Sequence, residues 1–272
     1  MQSPLKTIES LDQTNAYQMP DYVNSTKSTS CLDILGTQSG IYIQQTFKQF
    51  YMGLNEFKVY GANHLGEEIK FRQLFKCYEQ SSDCTRFWLG PQIRPFEMMV
   101  DNYQYKSFYS NISYQQKQNS DLTIFKFKRE YQCTFCCFNR PRLEVHYVEN
   151  GQNIFLGYIS DPVYCCQIGS NIFNSNGDLI FKIEANTCQS YFWLRCPCSV
   201  ECNKINFQIK LPTGQMVAPI QKQIKTCLNS QQNRYSDNIN ILFPKQASKE
   251  DKALILAATI MIEFMYFEKD IV

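Results

Sequence analysis

The segment from Ala253 to Phe267 is apolar nearly all round a helix, interrupted only by Thr259 and Glu263. A helix without a polar stripe has no face to give to water, so it must be enclosed. Its start is marked by Ser248, a hydroxyl at the N-cap position. Three residues later comes Asp251, in a pattern resembling a capping box, and Glu250 and Asp251 both sit favourably on the positive end of the helix dipole. A helix from Lys252 to Glu268 would reach ~25 Å, short of the ~30 Å of a bilayer core. A carboxylate near its middle would add ~2.5–3.5 kcal/mol to insertion. Enclosure by protein is therefore expected, over a helix of about residues 249–268. Glu263 is expected as a buried carboxylate paired with an Arg or a hydroxyl of the surrounding wall, the alternative being an acid on a lipid path.

The material for that wall is visible upstream. Ile205 to Leu211 alternates apolar and polar residues over seven positions, and Leu179 to Ile183 and Ile239 to Phe243 are similar, as half-buried antiparallel strands require. Turn signals fall between such stretches at Glu149-Asn150-Gly151-Gln152, Ser175-Asn176-Gly177-Asp178 and Pro212-Thr213-Gly214-Gln215. A weak repeat places Phe127-Lys128-Arg129-Glu130 before Cys133 and Phe181-Lys182-Ile183-Glu184 before Cys188, each followed by a strand and a Gly-Gln turn. Two similar β-halves closing into a barrel would explain it, because closure removes exposed edges. The fold class expected is mainly β, a closed antiparallel barrel, preceded by a flexible polar tail over residues 1–30 that could dock a protein partner.

Composition narrows the function classes. With 44% hydrophobic and 19% charged residues, the chain is too apolar for disorder and too evenly mixed for a multispanning membrane protein. A formal charge of +2 gives no strong field, and without a dense basic run nucleic acid is not an expected partner. The 13 cysteines are odd in number, and Met1 to Ser30 has no apolar run, so reduced thiols inside a cell are expected rather than a secreted disulfide framework. His64 and His146 lie in no metal or catalytic motif, and neither a phosphate loop nor a serine elbow is present.

Several separated motifs carry a family resemblance: Asp83-Cys84-Thr85-Arg86, Arg94-Pro95-Phe96, Cys133-Thr134-Phe135-Cys136-Cys137, Gly157-Tyr158-Ile159, the run Asp237 to Pro244, and Lys252-Ala253 through Phe264-Met265-Tyr266-Phe267-Glu268. In order and spacing the chain resembles the phospholipid scramblases. The resemblance implies a Tubby-like fold, a closed β-barrel around the hydrophobic C-terminal helix. It also implies calcium-triggered, bidirectional, energy-independent movement of membrane phospholipids between leaflets, on the cytoplasmic face. Such transport breaks no covalent bond, so the chain is expected to be a lipid translocator rather than a covalent catalyst.

The resemblance puts calcium at Asp237 and Asn238, although calcium takes six to eight oxygens and an Asx-type strand start is the competing reading. It puts palmitoylation at Cys133, Cys136 and Cys137, with Lys126, Lys128, Arg129, Arg140 and Arg142 nearby to meet anionic headgroups. From the residues themselves, Cys133 and Cys136 with Cys196, Cys198 and Cys202 could instead form a tetrahedral zinc site, and buried free thiols are a third reading. Arg94-Pro95-Phe96 reads as a sheet edge with Phe96 in the core. A helix sealed in its barrel would favour another class of function, a non-transporting membrane-associated scaffold or structural subunit.

Overall fold

The computed structural model describes residues 31–46, 54–62, 73–90, 93–103, 123–132, 139–163, 167–193, 203–224 and 235–268. A short helix α1 (Cys31–Gly36) leads into β1 (Gly40–Thr46), β2 (Glu56–Ala62) and β3 (Gln73–Gln80). Helix α2 (Asp83–Trp88) then precedes β4 (Phe96–Asn102), β5 (Thr123–Arg129), β6 (Arg142–Glu149), β7 (Gln152–Ser160), β8 (Gln167–Asn174) and β9 (Leu179–Asn186). Helix α3 (Ser190–Trp193), β10 (Lys204–Lys210), β11 (Met216–Ile224) and β12 (Tyr235–Leu242) follow, and α4 (Lys249–Ile262) continues as a π turn, Glu263–Phe267. Every strand pairs antiparallel with its sequence neighbours and β1 closes on β12, so the sheet is a closed up-and-down barrel of the expected class.

Alternation explains the wall. On β1 Ile41 and Ile43 face inward, on β2 Phe57 and Val59, on β5 Phe125 and Phe127, and on β10 Ile205, Phe207 and Ile209; all are buried. The expected hairpin turns sit at one end, with positive φ at Asn150, Gly151, Gly177 and Gly214. Gly157, at φ 153° and beside a register shift between β6 and β7, lets two backbones approach: a Cβ there would lie 2.2 Å from the Phe173 carbonyl oxygen. The repeat relates β5–β7 to β9–β11, four strands apart in a ring of twelve. It therefore spans a third of the barrel, not the half that a simple duplication predicts.

Helix α4 fills the barrel. From Ala253 to Ile262 every side chain is buried, packed against β6, β7, β8 and α1. At ~1.5–3 kcal/mol for a fully buried Leu, Ile or Phe, this face contributes much of the core. Its N-terminus carries a complete capping box: Asp251 N–H donates to Ser248 Oγ at 3.1 Å, and Ser248 N–H to Asp251 Oδ2 at 2.9 Å. Thr259 donates its hydroxyl to the Ile255 carbonyl at 3.0 Å, which removes its cost inside the core. Helix α1 closes this end, where Lys252 Nζ donates to the carbonyls of Gly36 and Gln38 at 2.6 and 2.7 Å.

Candidate functional site

The other end of the barrel, where α4 ends, collects buried charge. Lys222 on β11, Asp237 on β12 and Glu263 on the π turn meet in one cluster. Lys222 is 1% exposed, and its Nζ donates to Asp237 Oδ2 and Glu263 Oε2, both at 2.6 Å. It also stands 4.8 Å from the centre of the Phe267 ring. Burial opposes the Lys222 charge, but Glu263 and Asp237 outweigh burial and hold the ammonium above its usual range. Burial also pushes the Glu263 carboxyl up, by more than Lys222 draws it down. The partner of Glu263 is thus a lysine, not the arginine or hydroxyl that the sequence suggested.

A raised carboxyl means that the folded chain holds this proton more firmly than the unfolded chain. The corresponding stability is fully present below the ordinary value of 4.5 and is lost as pH rises through the raised folded value. Lys222 has the same sign on the alkaline side, above 10.5. The expected result is a urea midpoint that falls relative to a Glu263→Gln variant as pH increases from 4.5. Parallel midpoints across that window would show that Glu263 titrates normally.

A second cluster ties the end of the helix segment to β2, β3 and β4. A single nitrogen of Arg94, Nη2, donates to both oxygens of Glu268, at 2.9 and 2.8 Å, and lies 3.1 Å from Glu79 Oε1. Asn55 Nδ2 donates to Glu79 Oε2 at 2.6 Å and to Glu268 Oε1 at 3.0 Å. Arg129, 2% exposed, donates from Nε and Nη2 to the Arg94 carbonyl at 3.0 and 2.7 Å and covers the Phe96 ring at 4.6 Å. Burial first, then the like charge of Arg94, lowers Arg129 to about 10. Phe96 stacks on Phe264 with ring centres 4.3 Å apart. A third contact joins Tyr266, whose hydroxyl donates to Asp161 Oδ1 at 2.5 Å, with Arg140 on the other carboxylate oxygen. The π turn, closed by the Glu268 N–H on the Glu263 carbonyl at 2.9 Å, thus sits among three polar anchors.

These positions correct one electrostatic expectation. Arg129 points into the barrel and Arg140 pairs with Asp161, so neither is available as the sequence suggested for anionic headgroups. Lys128 is exposed, paired with Glu130 at 3.0 Å. Cys133, Cys136, Cys137, Cys196, Cys198 and Cys202 lie outside the described residues, as do His64 and the 1–30 tail. His146 is an ordinary strand residue packed on Phe155 with ring centres 5.5 Å apart.

The two residues of the calcium motif are placed on opposite faces of their strand. On β12 Asp237 shares the inward face of Ile239 and Ile241, whereas Asn238 lies on the outward face with Asn240, because adjacent strand residues point to opposite sides. One oxygen of Asp237 is already bonded to Lys222, and Asn238 Oδ1 is buried without a hydrogen-bond partner among the described residues. The two side chains do not converge on one ion. Among the described residues no group of three or more His, Cys, Asp or Glu is placed to hold a metal. The cavity beside Lys222 and Glu263 is about 10 Å³, room for roughly one water and not for an acyl chain.

Lys222, Arg129 and Glu79 each had a signal in the sequence. Each continues an inward series, namely Ala218-x-Ile220-x-Lys222, Phe125-x-Phe127-x-Arg129 and Phe75-x-Cys77-x-Glu79, so each charge occupies a core position at the same barrel end. Asn55, in a connection, had none.

Residues 19–269 match the Scramblase family, a span that takes in the whole barrel, the helix and all three polar anchors. The chain belongs to the scramblase family. This scramblase-family protein is 27% identical to phospholipid scramblase 2 of Bos taurus over 215 residues, covering 79% of this chain and 61% of the relative. It is 24% identical to phospholipid scramblase 1 of Mus musculus over 216 residues, covering 79% and 55%. Phospholipid scramblase 4 of Homo sapiens is 26% identical over 151 residues, covering 54% and 42%. The chain thus spans little more than half the length of the first two relatives. No solved structure matches it.

Proposed function

We propose that this protein promotes bidirectional, energy-independent movement of phospholipids between bilayer leaflets, as a translocator and not a covalent catalyst. The observation that carries the reading is the family match through the complete barrel and its helix. Because α4 fills the barrel and the adjacent cavity holds about one water, the proposed lipid route runs outside the wall. Among the described residues no helix is long and apolar enough to cross a membrane. Attachment through acylation of Cys133, Cys136 or Cys137 and through the barrel surface completes the reading, at the cytoplasmic face of a membrane. The reading places no calcium switch at Asp237 and Asn238; the divergence of their side chains and the bond from Lys222 to Asp237 support that choice.

The test is dithionite quenching of a fluorescent phospholipid in liposomes carrying the purified chain, with and without calcium. Loss of inner-leaflet protection is expected in both conditions, and equally with Asn238→Ala. Calcium-dependent loss that Asp237→Asn or Asn238→Ala abolishes, with folding intact, would place calcium at the motif. The filled barrel also favours the second reading, a non-transporting membrane-associated scaffold. Full protection in every condition, with folded protein on the bilayer, would select it.

A further inference from the structure

In an up-and-down barrel all connections that follow odd-numbered strands emerge at one end, here the end of the polar anchors. Five of them carry described residues, and each presents an exposed apolar side chain. They are Leu54 after β1, Phe87 and Trp88 after β3, Tyr131 after β5, Val163 after β7 and Trp193 after β9. These connections are spread around the ring, with those of Trp88 and Trp193 on opposite sides of the barrel. Trp88 is 78% exposed and Trp193 73%, and they are the chain's only tryptophans. At the other end the described hairpins, Asn150-Gly151, Ser175 to Asp178 and Pro212 to Gln215, have polar tips, and the exposed apolar side chains there, Tyr103, Ile154 and Met216, are each less than 50% exposed and include no tryptophan.

The arrangement inverts a protein–protein interface, which has an apolar centre and a polar rim. Here Arg94, Glu268, Lys222 and Asp237 cluster within the mouth and the apolar groups stand around it. Apolar groups spread around a ring of connections engage together most readily against a broad, nearly planar surface. Tryptophan and tyrosine favour the headgroup level of a bilayer, where one part of the ring is apolar and the other wet. Trp193 keeps its indole N–H on the Thr187 carbonyl at 2.8 Å, which leaves its ring edge free to enter that layer without an unpaired donor.

We propose that this mouth is a membrane-docking face, which seats the barrel end-on upon a phospholipid bilayer with Leu54, Phe87, Trp88, Tyr131, Val163 and Trp193 at headgroup depth. The inference deepens the lipid-moving reading and rests on it. Both tryptophans report on the face without a label. The full, unacylated chain is mixed with vesicles of phosphatidylcholine and phosphatidylserine. Tryptophan emission is expected to shift to the blue, and acrylamide quenching to fall. A Trp88→Ser/Trp193→Ser variant is expected to sediment with the vesicles about tenfold more weakly, the effect of removing two indole rings from an interface. Ile154→Ser/Met216→Ser, at the opposite end, is expected to bind as the parent does.

Unshifted emission on vesicles that do sediment the protein would overturn the proposal, and so would undiminished binding of the folded double variant. Absence of vesicle binding would overturn it as well and point the ring to a protein partner. The dithionite assay separates the two readings. Scrambling with unshifted tryptophans sinks the docking face alone, and a blue shift without scrambling sinks the transport reading alone.

Discussion

Replacing Lys222 with Met is expected to lower the unfolding free energy by about 3–5 kcal/mol, the range for removing one partner from a buried ion pair. Two carboxylates drive the size of the effect. Asp237 and Glu263 both lie 2.6 Å from the ammonium, and without it Glu263 would keep a buried charge beside another acid or take up a proton. The measurement is the urea midpoint at neutral pH with an unchanged denaturant slope. Adding Glu263→Gln to Lys222→Met is expected to recover a large part of the loss, since it removes the stranded charge while keeping the side-chain volume. A change below about 1 kcal/mol for the single variant would mean that the cluster is as solvated as a surface pair.

Arg94→Ala is expected to be comparably severe, at about 3–5 kcal/mol, because the guanidinium serves Glu268 through both oxygens and Glu79 as well. Arg94→Lys is expected to recover a large part of this, since the contacts to Glu268 and Glu79 all come from one nitrogen, Nη2, whose place an ammonium can take. The site of the damage should also be local. Amide hydrogen exchange is expected to accelerate first over Glu263–Phe267, the turn whose anchors are Lys222, Asp161 and Arg94, while the capped start of α4 stays protected. Uniform acceleration along α4 would show that the anchors stabilise the barrel as a whole instead of the end of its helix.

These two variants touch residues of very different legibility. Arg94 stood in a recognisable Arg-Pro-Phe motif, and Phe96 was readable as core, but nothing in the string linked it to Glu268, 174 positions away. Lys222 was readable as an inward-facing charge by its place in an alternating strand, but not as the partner of Glu263. The calcium reading treated Asp237 and Asn238 as neighbours in sequence. In a strand, sequence neighbours face opposite sides, and the inward one met a lysine from the adjacent strand.

By itself the sequence determined what depends on local periodicity and on solvation. An all-round apolar helix had to be enclosed, alternating segments had to form half-buried strands, Asn-Gly and Gly turns had to join them, and Ser248 had to cap the helix. Tertiary structure decided what depends on closure. Joining β1 to β12 turned one strand face into an interior, brought Lys222 to Asp237 and Glu263 across 15 and 41 residues, and left a cavity of about 10 Å³ beside them. It also carried Phe87, Trp88 and Trp193 to one rim. Antiparallel alternation sends every second connection to the same end whatever lies between, so residues more than 100 positions apart share a face that no local pattern encodes.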